Sequence, residues 1–124
     1  MEQFINLEKE RLFNLNTMPD GPVMMVNYLK YVKEVDGKSG RDLYKDYMTE
    51  VIPYFLESKA DLIFKGKELM TLIGPDENYW DEILIVKYPS KDGFMKMISN
   101  PNYPATLRAK ALVDSRLVMY EVNQ

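Results

Sequence analysis

The sequence predicts an α+β domain with a single four-stranded antiparallel sheet, and three observations carry that prediction. The first is the run Val23 to Val32, apolar at both odd and even positions, with one amide, Asn27, in its middle. A strand apolar on both faces is covered on both faces. The second is a helical stripe of Leu43, Tyr47, Val51, Tyr54 and Phe55, whose i+3/i+4 spacing makes one apolar side. The third is the turn sequence Gly74-Pro75-Asp76-Glu77-Asn78 between two strand-like stretches, which folds them into a hairpin.

A chain of 124 residues is most simply one domain and is long enough to bury a core without disulfides. Hydrophobic residues at 46% and charged residues at 28% fit a globular protein with no membrane-spanning run. The N-terminus has neither the basic region nor the apolar stretch of a secretory signal, so the expected location is cytoplasmic. There is no Cys, which excludes disulfides and thiolate chemistry. There is no His either, which excludes Ser-His-Asp hydrolysis, His-ligated zinc and a His-ligated haem iron. No metal site and no cofactor are therefore expected. The net charge of −3 gives no electrostatic reason to expect nucleic acid binding.

Taken in order, residues 1–20 form an N-terminal extension with a short helix over about 6–16, ended by Pro19-Asp20-Gly21-Pro22. Residues 21–124 form the domain proper. The first strand is Val23 to Val32. Lys33 to Gly40 is a polar loop turning at Asp36-Gly37, and Ser39 with Asp42 suits the start of a helix over about 41–57. Pro53 inside that helix should kink it or move its end. Asp61 to Ile73 reads as the second strand, with Gly66 as a bulge, and Tyr79 to Tyr88 as the third. Ser90 caps a helix carrying Phe94, Met97 and Ile98. Asn100-Pro101 interrupts it, and a further helix runs over about 103–113. Asp114-Ser115 breaks to a last strand, Arg116 to Val122.

The order is an added helix followed by β-α-β-β-α-β, the ferredoxin-like split-βαβ arrangement with its helices on one face of the sheet. The other face stays open. One chain does not readily cover it, and an apolar sheet face of that size is an association surface. The expected partner is a second copy, sheet against sheet, as a homodimer. The alternative is that the N-terminal helix folds under and covers the open face.

Several pieces carry a family resemblance. Gly21-Pro22-Val23 with Met25-Val26-Asn27-Tyr28-Leu29-Lys30 resembles the opening strand of a domain-of-unknown-function family in the dimeric α/β-barrel superfamily. Leu72-Ile73-Gly74-Pro75 before Trp80-Asp81-Glu82 is similar to its hairpin. Tyr88-Pro89-Ser90 with Phe94, then Asn100-Pro101 with Tyr103, resembles its second helical section. Arg108 with Ala111-Leu112 and Asp114-Ser115-Arg116-Leu117 resembles its ending. The resemblance spans about residues 20–122 and implies a ferredoxin-like fold and a dimeric barrel. The superfamily includes cofactor-independent monooxygenases, muconolactone isomerases and haem-dependent chlorite-degrading enzymes. The absence of His separates this chain from the last group. The family pattern often has His where Met24 and Leu107 stand here, so a His-based role does not transfer.

Asn27, Arg108 and Asp81 are the candidate catalytic residues. A buried amide such as Asn27 anchors a carbonyl or enolate oxygen, or bonds to neighbouring backbone. The Arg108 guanidinium, among Leu107, Ala109, Ala111 and Leu112, binds a carboxylate or phenolate, or pairs with Asp81, Glu82 or Asp114. Asp81 and Glu82 alternate to opposite faces, so one at most enters a pocket, where burial would raise its pKa; alternatively both stay solvated at the strand end. Tyr44, Tyr47, Trp80 and Tyr103 are candidate substrate-binding aromatics, with core or dimer packing as the other reading. The function expected is binding and transformation of a small aromatic or enolisable carbonyl compound without a metal, by oxidation or isomerisation. The alternative is a non-catalytic dimeric ligand-binding or scaffold module.

Overall fold

The computed structural model describes residues 2–123. A short helix, α1 (Lys9–Asn14), runs into a 3₁₀ turn, Leu15–Thr17. The elements that follow are β1 (Val23–Tyr31), β2 (Glu34–Val35), β3 (Lys38–Ser39), α2 (Gly40–Ser58), β4 (Asp61–Gly66), β5 (Glu82–Tyr88), α3 (Lys91–Ser99), α4 (Ala105–Lys110) and β6 (Leu112–Glu121). The main sheet has the order β4-β5-β1-β6 and is antiparallel throughout. This is the expected ferredoxin-like arrangement, with α2, α3 and α4 over one face.

Alternation sets the two faces. Along β1, Val23, Met25, Asn27 and Leu29 are buried toward the helices, while Met24, Val26, Tyr28 and Lys30 lie opposite. The register pairs Asn27 with Leu84 on β5 and with Leu117 on β6, so these three share the helix-side face. Leu43, Tyr44, Tyr47 and Val51 of α2 and Phe94 and Met97 of α3 close the core above them. The Ser39 hydroxyl accepts from the Asp42 N–H at 3.1 Å and starts α2. The backbone of β1 passes so close to the first residue of α2 that only glycine fits there. A Cβ on Gly40 would stand 2.8 Å from Tyr31 Cβ and closer still to the Val32 carbonyl.

The structure corrects several expected boundaries. The second strand stops at Gly66 and not at Ile73. The irregularity sits at Leu62–Phe64 and not at Gly66. Beyond Gly66 the chain leaves β5, and Leu69 and Ile73 are 94% and 95% exposed, because no neighbouring strand takes up their backbone groups. The third strand begins at Glu82 and not Tyr79. The last begins at Leu112, so Asp114 and Ser115 lie inside it. The helix before it is shorter than 103–113. The N-terminal helix begins at Lys9, because residues 4–7 are drawn against β6 instead. The polar loop holds a small hairpin, β2–β3, whose Asp36-Gly37 turn has both residues at positive φ. Pro53 does not end α2, which continues to Ser58. Among the described residues, no helix is long and apolar enough to cross a membrane.

The N-terminal segment does not cover the open face. Ile5 and Leu15 pack against the helix-side core. On the open face Val118 remains 38% exposed and Tyr120 47% exposed.

Candidate functional site

A cavity of about 70 Å³ lies between the helix-side face of the sheet and the helices. The sheet contributes Met25, Asn27, Leu84 and Val86 to its wall. The helices contribute Tyr44, Tyr47 and Arg108, and Tyr103 comes from the turn before α4. Five of the seven predicted site residues, Asn27, Tyr44, Tyr47, Tyr103 and Arg108, thus line one space.

Asn27 and Arg108 are bonded to each other. Arg108 Nη2 donates to Asn27 Oδ1 at 3.2 Å. Asn27 Nδ2 donates to the Leu84 carbonyl, its register partner, at 3.2 Å. The amide is held by the sheet and in turn holds the guanidinium. Asn27 thus makes the backbone bond expected of a buried amide, and it also lines the cavity. Arg108 Nη1 makes a long contact, 3.4 Å, with the Ile5 carbonyl. Among the described residues Arg108 forms no ion pair: Asp81, Glu82 and Asp114 all pair with other cations.

Three of the phenols, Tyr44, Tyr47 and Tyr88, are held in the protonated form. Burial is the main effect on Tyr44 and Tyr47 and pushes both above the ordinary phenol value, against the opposing field of Arg108. Burial does the same for Tyr88. Arg108 keeps its charge: burial opposes it, but the phenol oxygens of Tyr44, Tyr47 and Tyr103 outweigh burial and hold its pKa above the ordinary value. Tyr47 and Tyr103 share a hydroxyl–hydroxyl bond of 2.5 Å. Their rings meet edge to face at 6.2 Å, and Tyr44 tilts against Tyr47 at 5.2 Å.

Asp81 and Trp80 do not line this cavity. Asp81 accepts from the Tyr31 N–H at 2.8 Å and pairs with Lys30 at 3.5 Å. It serves the entry to β5, where the chain needs its backbone donors met. Trp80 packs on Tyr28 at 5.8 Å and under the Arg116 guanidinium at 5.2 Å, on the open-face side. Glu82 does turn toward the helices, as alternation requires, but the Tyr31 hydroxyl and Arg41 take up its oxygens.

The cavity wall also includes Ile5, Asn6 and Leu7, which the sequence did not point to. They follow Phe4, whose backbone is tied to the free edge of β6. The Ser115 N–H donates to the Phe4 carbonyl at 2.6 Å, and the Phe4 N–H donates to Asp114 Oδ1 at 2.9 Å. The signal that existed was Asp114-Ser115 itself, a polar pair where β6 needs to anchor something.

No family model and no curated protein matches the chain. Solved structures do. A protein of unknown function from Rhodopseudomonas palustris is 28% identical, with a TM-score of 0.83 and 99% of each chain covered. A dimeric ferredoxin-like protein of unknown function from Thermobifida fusca is 14% identical, with a TM-score of 0.54, covering 98% of this chain and 100% of its own. A cofactor-independent oxygenase from Streptomyces nogalater is 14% identical, with a TM-score of 0.54, covering 84% of this chain and 95% of its own. The ferredoxin-like fold is thereby shown, and two of these three proteins are themselves of unknown function.

Proposed function

We propose that the cavity binds a small organic oxyanion, the carboxylate, phenolate or enolate of an aromatic or enolisable carbonyl compound. The observation that carries this reading is Arg108: a partly buried guanidinium on the cavity wall with no carboxylate partner among the described residues. Taking a cation out of water costs several kcal/mol unless an opposite charge or good hydrogen bonds offset it. Two carbonyl-type acceptors offset part of that cost, and an anionic ligand supplies the rest.

The same geometry limits the chemistry. The ionisable groups on the cavity wall are Arg108 and tyrosines, so the wall offers a fixed positive charge and neutral phenol donors but no carboxylate base. Such a site stabilises negative charge on a ligand oxygen and relies on a ligand that ionises readily by itself. Stabilised carbanions and phenolates of this kind are the substrates of cofactor-independent oxidation, the activity we assign to the site. Fold does not transfer activity, and the Streptomyces oxygenase supports only that this scaffold can host such chemistry.

The functional unit we propose is a homodimer joined through the open sheet faces; that the ferredoxin-like protein from Thermobifida fusca is dimeric supports a dimer of this fold. Arg116, Val118 and Tyr120 on β6 and Met24, Val26 and Tyr28 on β1 would form its centre.

A thermal-shift screen against aromatic acids, phenols, quinones and flavins tests the binding. A hit is expected among the acids or phenols and is lost in Arg108→Gln. Oxygen consumption with that hit separates turnover from binding alone. Hits confined to uncharged compounds, unaffected by Arg108→Gln, would overturn the proposal.

A further inference from the structure

The cavity is too small for the ligand it is built to hold. An engineered cavity of about 150 Å³ accepts a benzene ring, and this one has about 70 Å³. Beside it lies a groove of about 370 Å³, within the size range of about 300–1,000 Å³ usual for small-molecule sites. The two spaces have Met25, Phe94, Arg108, Leu117 and the segment Ile5-Asn6-Leu7 in common as walls. That segment is the part of the shared wall that belongs to no helix or strand.

We infer that residues 4–7 are a strap that lifts to admit a ring-sized anion, and that Arg108 then exchanges the Ile5 carbonyl for the ligand's oxygens. This rests on the oxyanion reading of the cavity. Three features support it. The Arg108–Ile5 contact is the longer of the guanidinium's two, at 3.4 Å against 3.2 Å to Asn27, and a neutral carbonyl is a weaker acceptor than a carboxylate. The strap is held at one end only by a handful of bonds to Asp114 and Ser115, with no helix or strand of its own until Lys9. The groove it would open is lined by apolar groups, Leu12, Leu15, Phe94 and Met119 among them, which suits the hydrocarbon body of an aromatic acid whose carboxylate sits at Arg108.

Lifting the strap and binding the anion are then one coupled event, and loosening the strap favours binding. The Ser115 hydroxyl bonds to the Phe4 and Ile5 carbonyls, so Ser115→Ala loosens the strap while keeping the backbone bond.

Amide hydrogen exchange on the whole protein, with and without saturating benzoate, reads this directly. The amides of Phe4 and Ser115 are expected to exchange about tenfold faster with benzoate bound. Ser115→Ala is expected to bind benzoate several-fold more tightly than the wild type, and Arg108→Gln not to bind it. Phe4→Ala, which removes the ring that lies 4.9 Å from the Arg116 guanidinium, serves as a second loosened variant and should act in the same direction. If benzoate binds, requires Arg108, and leaves both amides protected, the strap inference is overturned and the oxyanion site stands. If neither the wild type nor the two loosened variants bind benzoate or salicylate, both fall.

Discussion

Asn27 and Arg108 are 81 residues apart and form one unit: the amide oxygen fixes the guanidinium at 3.2 Å, and the amide nitrogen is itself fixed to Leu84 of the sheet. In the proposed site Asn27 is therefore the positioning residue, and Arg108 the group that would meet the ligand. Arg108→Gln should weaken binding of an anionic ligand about tenfold to a hundredfold, the equivalent of a charge-assisted hydrogen bond at about 1.5–3 kcal/mol. Asn27→Asp should also weaken it, because its carboxylate would neutralise the cation in place. Titration calorimetry with a screened ligand checks both, and equal affinity in Asn27→Asp and wild type would show that the charge of Arg108 does not matter.

The buried phenols set an alkaline limit. Tyr44, Tyr47 and Tyr88 are all raised above the ordinary value of 10.0 in the folded protein, chiefly by burial. Unfolded tyrosines ionise from about pH 10, so above that pH the unfolded state binds fewer protons and stability falls. Below it their contribution is fully present. A phenolate absorbance titration should show part of the nine tyrosines appearing only with unfolding. A single reversible step for all nine near the ordinary value would contradict this.

Asp114 sets the acid limit. It has no exposed surface, and burial alone would raise it. The Phe4 N–H, the Tyr79 hydroxyl and Arg116 outweigh that and hold its carboxyl below the ordinary 3.8. The sign follows: its stabilisation is present above the unfolded value and is lost as pH falls through the folded one. Asp114→Asn should lower the melting midpoint at neutral pH and converge with the wild type in strong acid. Parallel curves at all pH values would argue against it.

The close approach of β1 and α2 predicts that Gly40→Ala destabilises the fold by about 1–3 kcal/mol through overpacking, since its Cβ would meet backbone that cannot move independently. Leu29→Ala, at a fully buried position, should cost about 2–5 kcal/mol. Urea midpoints with an unchanged slope check both.

For the proposed dimer, Val118→Asp is the sharpest probe. Val118 stands opposite Val26 on the open face, and a carboxylate there would be buried in the proposed interface. Light scattering should give half the wild-type mass. A wild type that is already monomeric at micromolar concentration would sink the dimer.

What the sequence made legible follows from local rules. The doubly apolar run of β1, the turn residues before β5 and the stripe on α2 identified the sheet and the helix packed on it, because those signals need only neighbours in the chain; which face of β1 the helices cover was not legible from a run apolar on both. Asn27 and Arg108 stood out as polar groups in apolar runs. Their mutual bond was not legible, since it depends on a register and a helix placement set far apart in sequence. Asp81 was misassigned for a related reason: its position at the strand entry gave it backbone and Lys30 to satisfy, and nothing local says so. The strap is the extreme case. Ile5-Asn6-Leu7 has no periodicity, and its role arises only from the unpaired edge of β6, 110 residues away.

Trp80, the only tryptophan in the chain, packs against Tyr28 and Arg116 on the open face, while the cavity wall holds tyrosines and no tryptophan. The single indole is thus an intrinsic reporter of the face where a second copy would sit, and it stands apart from the cavity. Assembly can be followed by its emission without a label.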